Sequence, residues 1–287
     1  ILWKPSSSDL PGWDSPWGRG RPGWHIECSA MIQKHLGSHI DIHGGGSDLT
    51  FPHHENEAAQ SRCANRSKDY VNYWLHNGMI TLANEKMSKS LGNILGIRTL
   101  LKKHSGEVLR YALLSGHYRS SLSWSDDLIQ QAKSSLDSLY QTLRDHRETA
   151  ALGSVPIDSS LECDHEFELA LCDDLNTPKA LAALHRISDE LRNAEDDQSA
   201  LRKRNNLIQA GSLLGLLQDD PEAYFKRSVR SETNEALSES KIESLIEERN
   251  QARADRNFDL ADQIRQSLSK KGIELEDQRT GTRWRRI

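Results

Sequence analysis

The stretch "NEKMSKSLGN", residues 84–93, sets Lys86 and Lys89 three positions apart, with Ser88 and Ser90 beside them and Gly92-Asn93 behind. Two ammonium groups on a loop of small residues suit an anion held between them, because an anion offsets their mutual repulsion. A solvated pair of surface lysines is the plainer alternative. "FPHHENE", residues 51–57, puts His53 and Glu57 four residues apart. On a helix they would lie about 40° apart around the axis, so both side chains could meet one ion. Imidazole and carboxylate suit zinc, and Cys28, on an earlier segment, could add a thiolate. Cys63 is a poor candidate: ten residues past His53, it would sit roughly 15 Å along the axis and about 80° off the face. His54 reads as support for the site or as structure. A surface hydrogen-bonded pair is the bland account of His53 and Glu57.

"HGGGSD", residues 43–48, adds Gly44, Gly45 and Gly46 after a run with strand character. Consecutive glycines let a backbone approach a ligand closely, and Asp48 could accept from a ribose hydroxyl. The spacing fits neither GxGxxG nor the P-loop, and a sharp turn would explain it equally well.

These residues need elements to hold them. "GWHIECSAMIQKHLG" predicts a helix stopped at Gly37, and "HIDIHGGGSDL" a short strand breaking into the glycines. "FPHHENEAAQSRCA" predicts a helix with Pro52 in its first turn, and "VNYWLHNGMITL" a strand pair turning at Asn77-Gly78. Helix and strand alternate here, which marks an α/β layer. From about residue 100 the pattern is helical. Leu128, Ala132, Leu136, Leu139 and Leu143 follow the 3.6 period behind Ser125 as N-cap. Thr177-Pro178 opens another helix, and "LIQAGSLLGLL" closes the bundle. Residues 221–235 read as a polar linker. Helices 240–254 and 258–270, Gly272 as a stop and a hairpin in "IELEDQRTGTRW" make a last small unit.

The net charge of −5, with 28 % charged residues, gives no support to a generally basic nucleic-acid binder, so any RNA surface must be local. Four cysteines, widely spaced and without a CxxC pair, argue against a disulfide framework and for a reducing, cytoplasmic setting. No apolar run approaches the roughly 18 residues of a membrane span. The opening "ILWKPSSSDLPG" lacks an initiator methionine and reads as the end of a strand with partners upstream, which suggests part of a longer protein.

Taken in order, "GRPGWHIECSAM", "DIHGGGSDLTFPHHENEAAQS", "YWLHNGMI", "EKMSKSLGN", "RYALLSGHYRS", "CDDLNTPKAL" and "GTRWRR" resemble the cysteinyl-tRNA synthetases, a class I aminoacyl-tRNA synthetase family. The resemblance implies an α/β second half of a Rossmann catalytic domain at residues 1–95, then a stem-contact region at 96–124. A helical bundle of DALR type at 125–220, a linker at 221–235 and a small α+β anticodon-binding domain at 236–287 would follow. It also implies that the family's HIGH motif, the first catalytic half and another cysteine zinc ligand lie upstream, so the chain alone should be inactive.

The implied activity joins L-cysteine to its tRNA through a cysteinyl-adenylate, with Mg-ATP as substrate and one zinc per subunit of a monomer. Cys28, His53 and Glu57 would be three zinc ligands, with Trp24 and His43 at the cysteine pocket. Lys89, supported by Lys86, would act on the ATP phosphates, and Gly44, Gly45, Gly46 and Asp48 would lie at the nucleotide. Zinc would select the substrate thiolate by softness, since shape separates cysteine from serine poorly. Arg249, Arg253 and Arg256 fall at i, i+4 and i+7, and Trp284 and Arg285 lie in the arginine-rich tail. Arginine forks and an aromatic face suit unstacked anticodon bases. A solvated stripe and a core tryptophan are the alternatives. Two other readings compete for the whole chain: the paralogous ligase of cysteine and an amino sugar, and a non-catalytic tRNA-binding module.

Overall fold

The computed structural model describes residues 1–82, 85–86, 96–147, 164–227, 237–278 and 281–286. Lys89 lies outside them, as do Cys163 and Arg279, and of Lys86 only the backbone is described. The chain divides into two compact units, Ile1–Met87 with Gly116–Trp124, and Ser88–Ser115 with Ser125–Ile287. Of residues 96–124, residues 116–124 belong to the first unit and 96–115 to the second.

In the first unit, β1 (Trp3–Pro5) pairs antiparallel with β2 (Gly20–Pro22). Helix α1 (Trp24–His35) ends as expected: Leu36 and Gly37 both donate to the Ile32 carbonyl, and Gly37 takes φ 100°, a left-handed stop. Strand β3 (Ile40–Gly46) runs parallel to β4 (Val71–Asn77), with α2 (Glu55–Asn65) in the crossover. The three glycines stay in the strand instead of breaking it, in register with Leu75, His76 and Asn77. Phe51, before Pro52, is extended (φ −132°, ψ 135°), so α2 begins at Glu55 and His53 sits in the turn leading into it.

The expected hairpin at Asn77-Gly78 does not form. Strand β5 (Ile80–Leu82) pairs antiparallel with β6 (Glu85–Lys86) and parallel with β7 (Leu122–Trp124). Gly78 donates to the Tyr118 carbonyl at 2.7 Å, and a Cβ there would strike the backbone of Ser120. The glycine is needed for that close passage of two chains and not for a turn.

The second unit opens with α3 (Ile97–Leu100) and α4 (Gly106–Leu114) and continues into α5 (Asp126–Asp145). Ser125 caps α5 by accepting from the Leu128 amide at 3.1 Å, and Ala132, Leu136, Leu139 and Leu143 form its buried stripe. Helix α7 (Thr177–Arg192), capped by Asn176 with a proline in its first turn, packs on α5, and α6 (His165–Cys172) and α8 (Asp197–Leu213) pack on α7. The residues expected as a linker include α9 (Pro221–Lys226), whose Pro221 and Phe225 are buried. Six residues are too few to show a 3.6 period, but Tyr224 stacks on Tyr140 at 3.8 Å and donates to Asp137.

Helices α10 (Glu239–Ala254) and α11 (Phe258–Lys270) then pack on the hairpin of β8 (Ile273–Gln278) and β9 (Gly281–Arg286). Gly272, at φ 73°, stops α11 as expected. Ile242, Ile246, Ile264, Leu268, Ile273, Leu275 and Trp284 make the core of this small α+β part.

Candidate metal centre

Helix α1 carries Cys28 to the turn and first residues of α2, where one ligand atom from each of Cys28, His53 and Glu57 lies within 4.8 Å of the others. The Glu57 carboxylate is 1 % exposed. His53 Nε2 stands 2.6 Å from Oε1, and His43 Nε2 is 3.6 Å from Oε2. Neither oxygen has a hydrogen bond of proper direction, although a buried carboxylate is costly without partners. Two inadequately bonded carboxylate oxygens beside a thiol and an imidazole suit a divalent cation, and the sulfur favours zinc. The residues therefore fit the ion.

Electrostatics point the same way. Burial pushes the Glu57 carboxyl up to about 7, and the nearby Cys28 thiol and Tyr70 hydroxyl only partly oppose that rise. Burial, with the neighbouring Glu57 charge, also pushes the Cys28 thiol up. A cation would reverse both shifts by favouring the ionised forms. Burial lowers His53, and burial with the surrounding imidazoles takes His54 down to about 4, so both rings are neutral and hold a lone pair.

Around this group lies a cage of rings. Trp24, half-exposed at 51 %, is no core residue: it stacks face to face on His53 at 3.8 Å. His43 meets His54 edge-on at 4.6 Å. His43, His54 and Glu57 form a second convergent trio that shares the carboxylate but lacks sulfur. Three supporting residues were missed in the sequence. His25 Nδ1 lies 2.8 Å from His53 Nδ1, His76 Nε2 lies 2.8 Å from His54 Nδ1, and Tyr70 is buried against Glu57. The signal for His25 was its i, i+3 spacing from Cys28 on one helix face. Sequence holds no comparable signal for His76, which the β3–β4 register brings there, or for Tyr70, which lies just before β4 and whose carbonyl accepts from the Ile40 amide.

The glycines have a clear structural use. A Cβ on Gly45 would come within 2.8 Å of His54 Cε1, and one on Gly46 would crowd Asp48, whereas Gly44 has room for one. Asp48 is exposed in a short turn at Ser47–Leu49.

The arginines expected to read RNA need correction. Arg249 is 4 % exposed and forks onto Asp277 at 2.8 and 2.7 Å. It continues the Ile242–Ile246 stripe, so it faces the core. Helix α10 ends at Ala254, and Arg256 lies beyond it at φ 59°, which breaks the presumed stripe of three. Trp284, 3 % exposed, is a core residue whose ring is closed to a base. Arg285 is tied to Glu274 at 2.6 Å and faces Glu276 at 3.5 Å. Arg253, half-exposed, and Arg256 remain at the surface.

Comparison with known proteins finds three domain matches and close relatives along the whole chain. Residues 1–134 match the family of class I (C) tRNA synthetase catalytic domains, 166–218 the DALR domain, and 237–285 the cysteinyl-tRNA ligase anticodon binding domain. The chain is 54 % identical over 286 residues to the cysteine–tRNA ligase of Xanthomonas campestris, covering all of this chain and 60 % of that protein. It is 52 % identical to that of Saccharophagus degradans, covering 61 % of it. The chain thus spans about three-fifths of the length of these relatives. In fold it resembles the Agrobacterium radiobacter LeuRS–tRNA–LeuAMS complex, with a TM-score of 0.51 at 14 % identity over 73 % of this chain and 35 % of that one. Among the described residues no helix is long and apolar enough to cross a membrane. On identity across its whole length and on three domain matches in order, the chain belongs to the cysteine–tRNA ligase family.

Proposed function

We propose that this chain supplies the amino-acid-selecting metal centre and the tRNA-reading part of an enzyme that charges tRNA with cysteine through a cysteinyl-adenylate. The convergence of Cys28, His53 and Glu57 carries the reading. Bound there, zinc would supply a soft Lewis acid that favours a thiolate over a hydroxyl. The protein's own groups do the rest. With the ion bound, Glu57 and Cys28 would ionise and give the site two negative charges. His25 orients His53 from its far nitrogen, and the Trp24 ring walls the pocket and limits water. Lys89, with Lys86, acts on the ATP phosphates by the family pattern, where charge grows as the α-phosphorus is attacked.

Residues 96–124 would contact the acceptor stem, and the unit around 237–285 the anticodon. The match to an anticodon-binding domain favours this over a cysteine–amino-sugar ligase, which would have no use for one.

Metal analysis tests the reading. The chain should hold about one zinc, while Cys28→Ala and Glu57→Gln should each lose most of it. Full zinc in Cys28→Ala, with undiminished discrimination against serine when the chain is joined to the rest of the enzyme, overturns the assignment.

A further inference from the structure

Arg144 and Glu222 lie in stretches that none of the three domain matches covers. Yet Arg144, 0 % exposed, is among the largest fully buried side chains described. From α5 its Nε and one Nη bind the two oxygens of Glu222 at 2.8 and 3.0 Å, a fork on the first turn of α9. The other Nη reaches Glu276 on β8 at 3.3 Å, and the first also donates to the Trp284 carbonyl on β9 at 3.3 Å. The plane lies over the Phe225 ring at 5.1 Å. Arg283 adds a second cation, 3.9 Å from Glu222 and 3.7 Å from Asp145. One guanidinium thus joins α5, α9 and both strands of the hairpin, across sequence separations of 78 to 140 residues.

An apolar side chain of equal volume could fill such a site at no greater cost, because desolvation offsets most of a buried ion pair's attraction. What a methionine or leucine cannot do is choose a direction. The rigid fork accepts one placement of a carboxylate and one of a carbonyl, so it selects a single seating of the hairpin on the bundle. We propose that Arg144 is a positioning residue that seats the β8–β9 hairpin, and with it the anticodon-binding unit, on α5 and α9 in one orientation. Its consequence for RNA rests on the reading under Proposed function: the seating sets the place at which the anticodon end of a tRNA is met.

Amide hydrogen exchange of the 287-residue chain, with tRNA affinity measured beside it, tests the proposal. Arg144→Lys keeps the charge and loses the fork, and Glu276→Gln removes the charge of one arm; both stay measurable should Arg144→Met fail to fold. In both, exchange at β8 and β9 should rise about tenfold or more while α7 and α8 stay as in wild type. The affinity for tRNA should fall roughly tenfold with an unchanged salt slope, since no phosphate contact is removed. Wild-type exchange in the hairpin of Arg144→Lys overturns the seating. A loosened hairpin with wild-type tRNA affinity overturns the positioning role, and a reduced salt slope would make Arg144 an RNA contact instead. If wild type itself binds no tRNA, the functional reading has failed, and hairpin exchange still decides the seating.

Discussion

Gly45 and His54 share one space: the imidazole packs where a side chain on the strand would stand, with Cε1 2.8 Å from an ideal Cβ. Gly45 is in register with His76, whose Nε2 meets His54 Nδ1, so the missing side chain lets two histidines close beside the Cys28, His53 and Glu57 group. Gly45→Ala should push His54 aside and weaken zinc binding about tenfold or more. Gly44→Ala, one residue away with room for a methyl, should leave zinc binding unchanged. Zinc competition on both variants checks the contrast, and equal affinities would separate the glycine from the metal.

Zinc binding should release protons. With Glu57 raised to about 7 and the Cys28 thiol raised by burial, both groups carry protons in the metal-free site below neutral pH. The metal needs the ionised forms, so affinity rises with pH, by up to about tenfold per unit for each proton displaced. Competition with a chelator at pH 6 and pH 8 should show tighter binding at pH 8. In Glu57→Gln the slope should be shallower.

Asp277 ties the small C-terminal part to acid stability. The Arg249 fork, against partial burial and with help from Thr282, holds its carboxyl down at about 2. A depressed carboxylate stabilises the fold above its unfolded pKa of about 3.9, and the contribution is lost as pH falls through the folded value. Urea unfolding at pH 7 and pH 3 should show wild type losing more of its stability than Asp277→Asn.

Trp284 and Arg256 should separate stability from RNA contact. Trp284→Ala empties a core position and should cost roughly 3–5 kcal/mol, read as a lowered midpoint of thermal unfolding. Arg256→Ala, at the surface, should stay within about 0.5 kcal/mol of wild type in stability. If Arg256 meets the tRNA backbone, its loss should reduce the salt slope of binding by about one.

Lys89→Ala, in the chain joined to the rest of the enzyme, should slow adenylate formation far more than it weakens ATP binding. The expected loss is about 2.7–4 kcal/mol of transition-state stabilisation, read from pyrophosphate exchange. Near-normal exchange would remove Lys89 from the phosphate chemistry.

By itself the sequence determined whatever depends on local spacing. The Ser125 cap and the leucines of α5, the stop at Gly272 and the hairpin after it follow from turn chemistry and the 3.6 period. The meeting of His53 with Glu57 was legible for the same reason, since a spacing of four puts both side chains on one side of the turn into α2. Tertiary structure decided what depends on partners far along the chain. Gly78 looked like a turn residue and proved to be a close passage, because Tyr118 and Ser120 lie some forty positions away. Arg249 fell at a spacing that suited an RNA-facing stripe, but the same spacing from Ile242 is the core face of α10, and only Asp277 on β8 shows which applies. His76 came to His54 through parallel strand pairing, and Arg144 to its partners through four elements closing on one guanidinium. Periodicity states which side of an element is apolar. It cannot state where a buried polar group finds its counterpart, because that partner is brought near only when the chain packs.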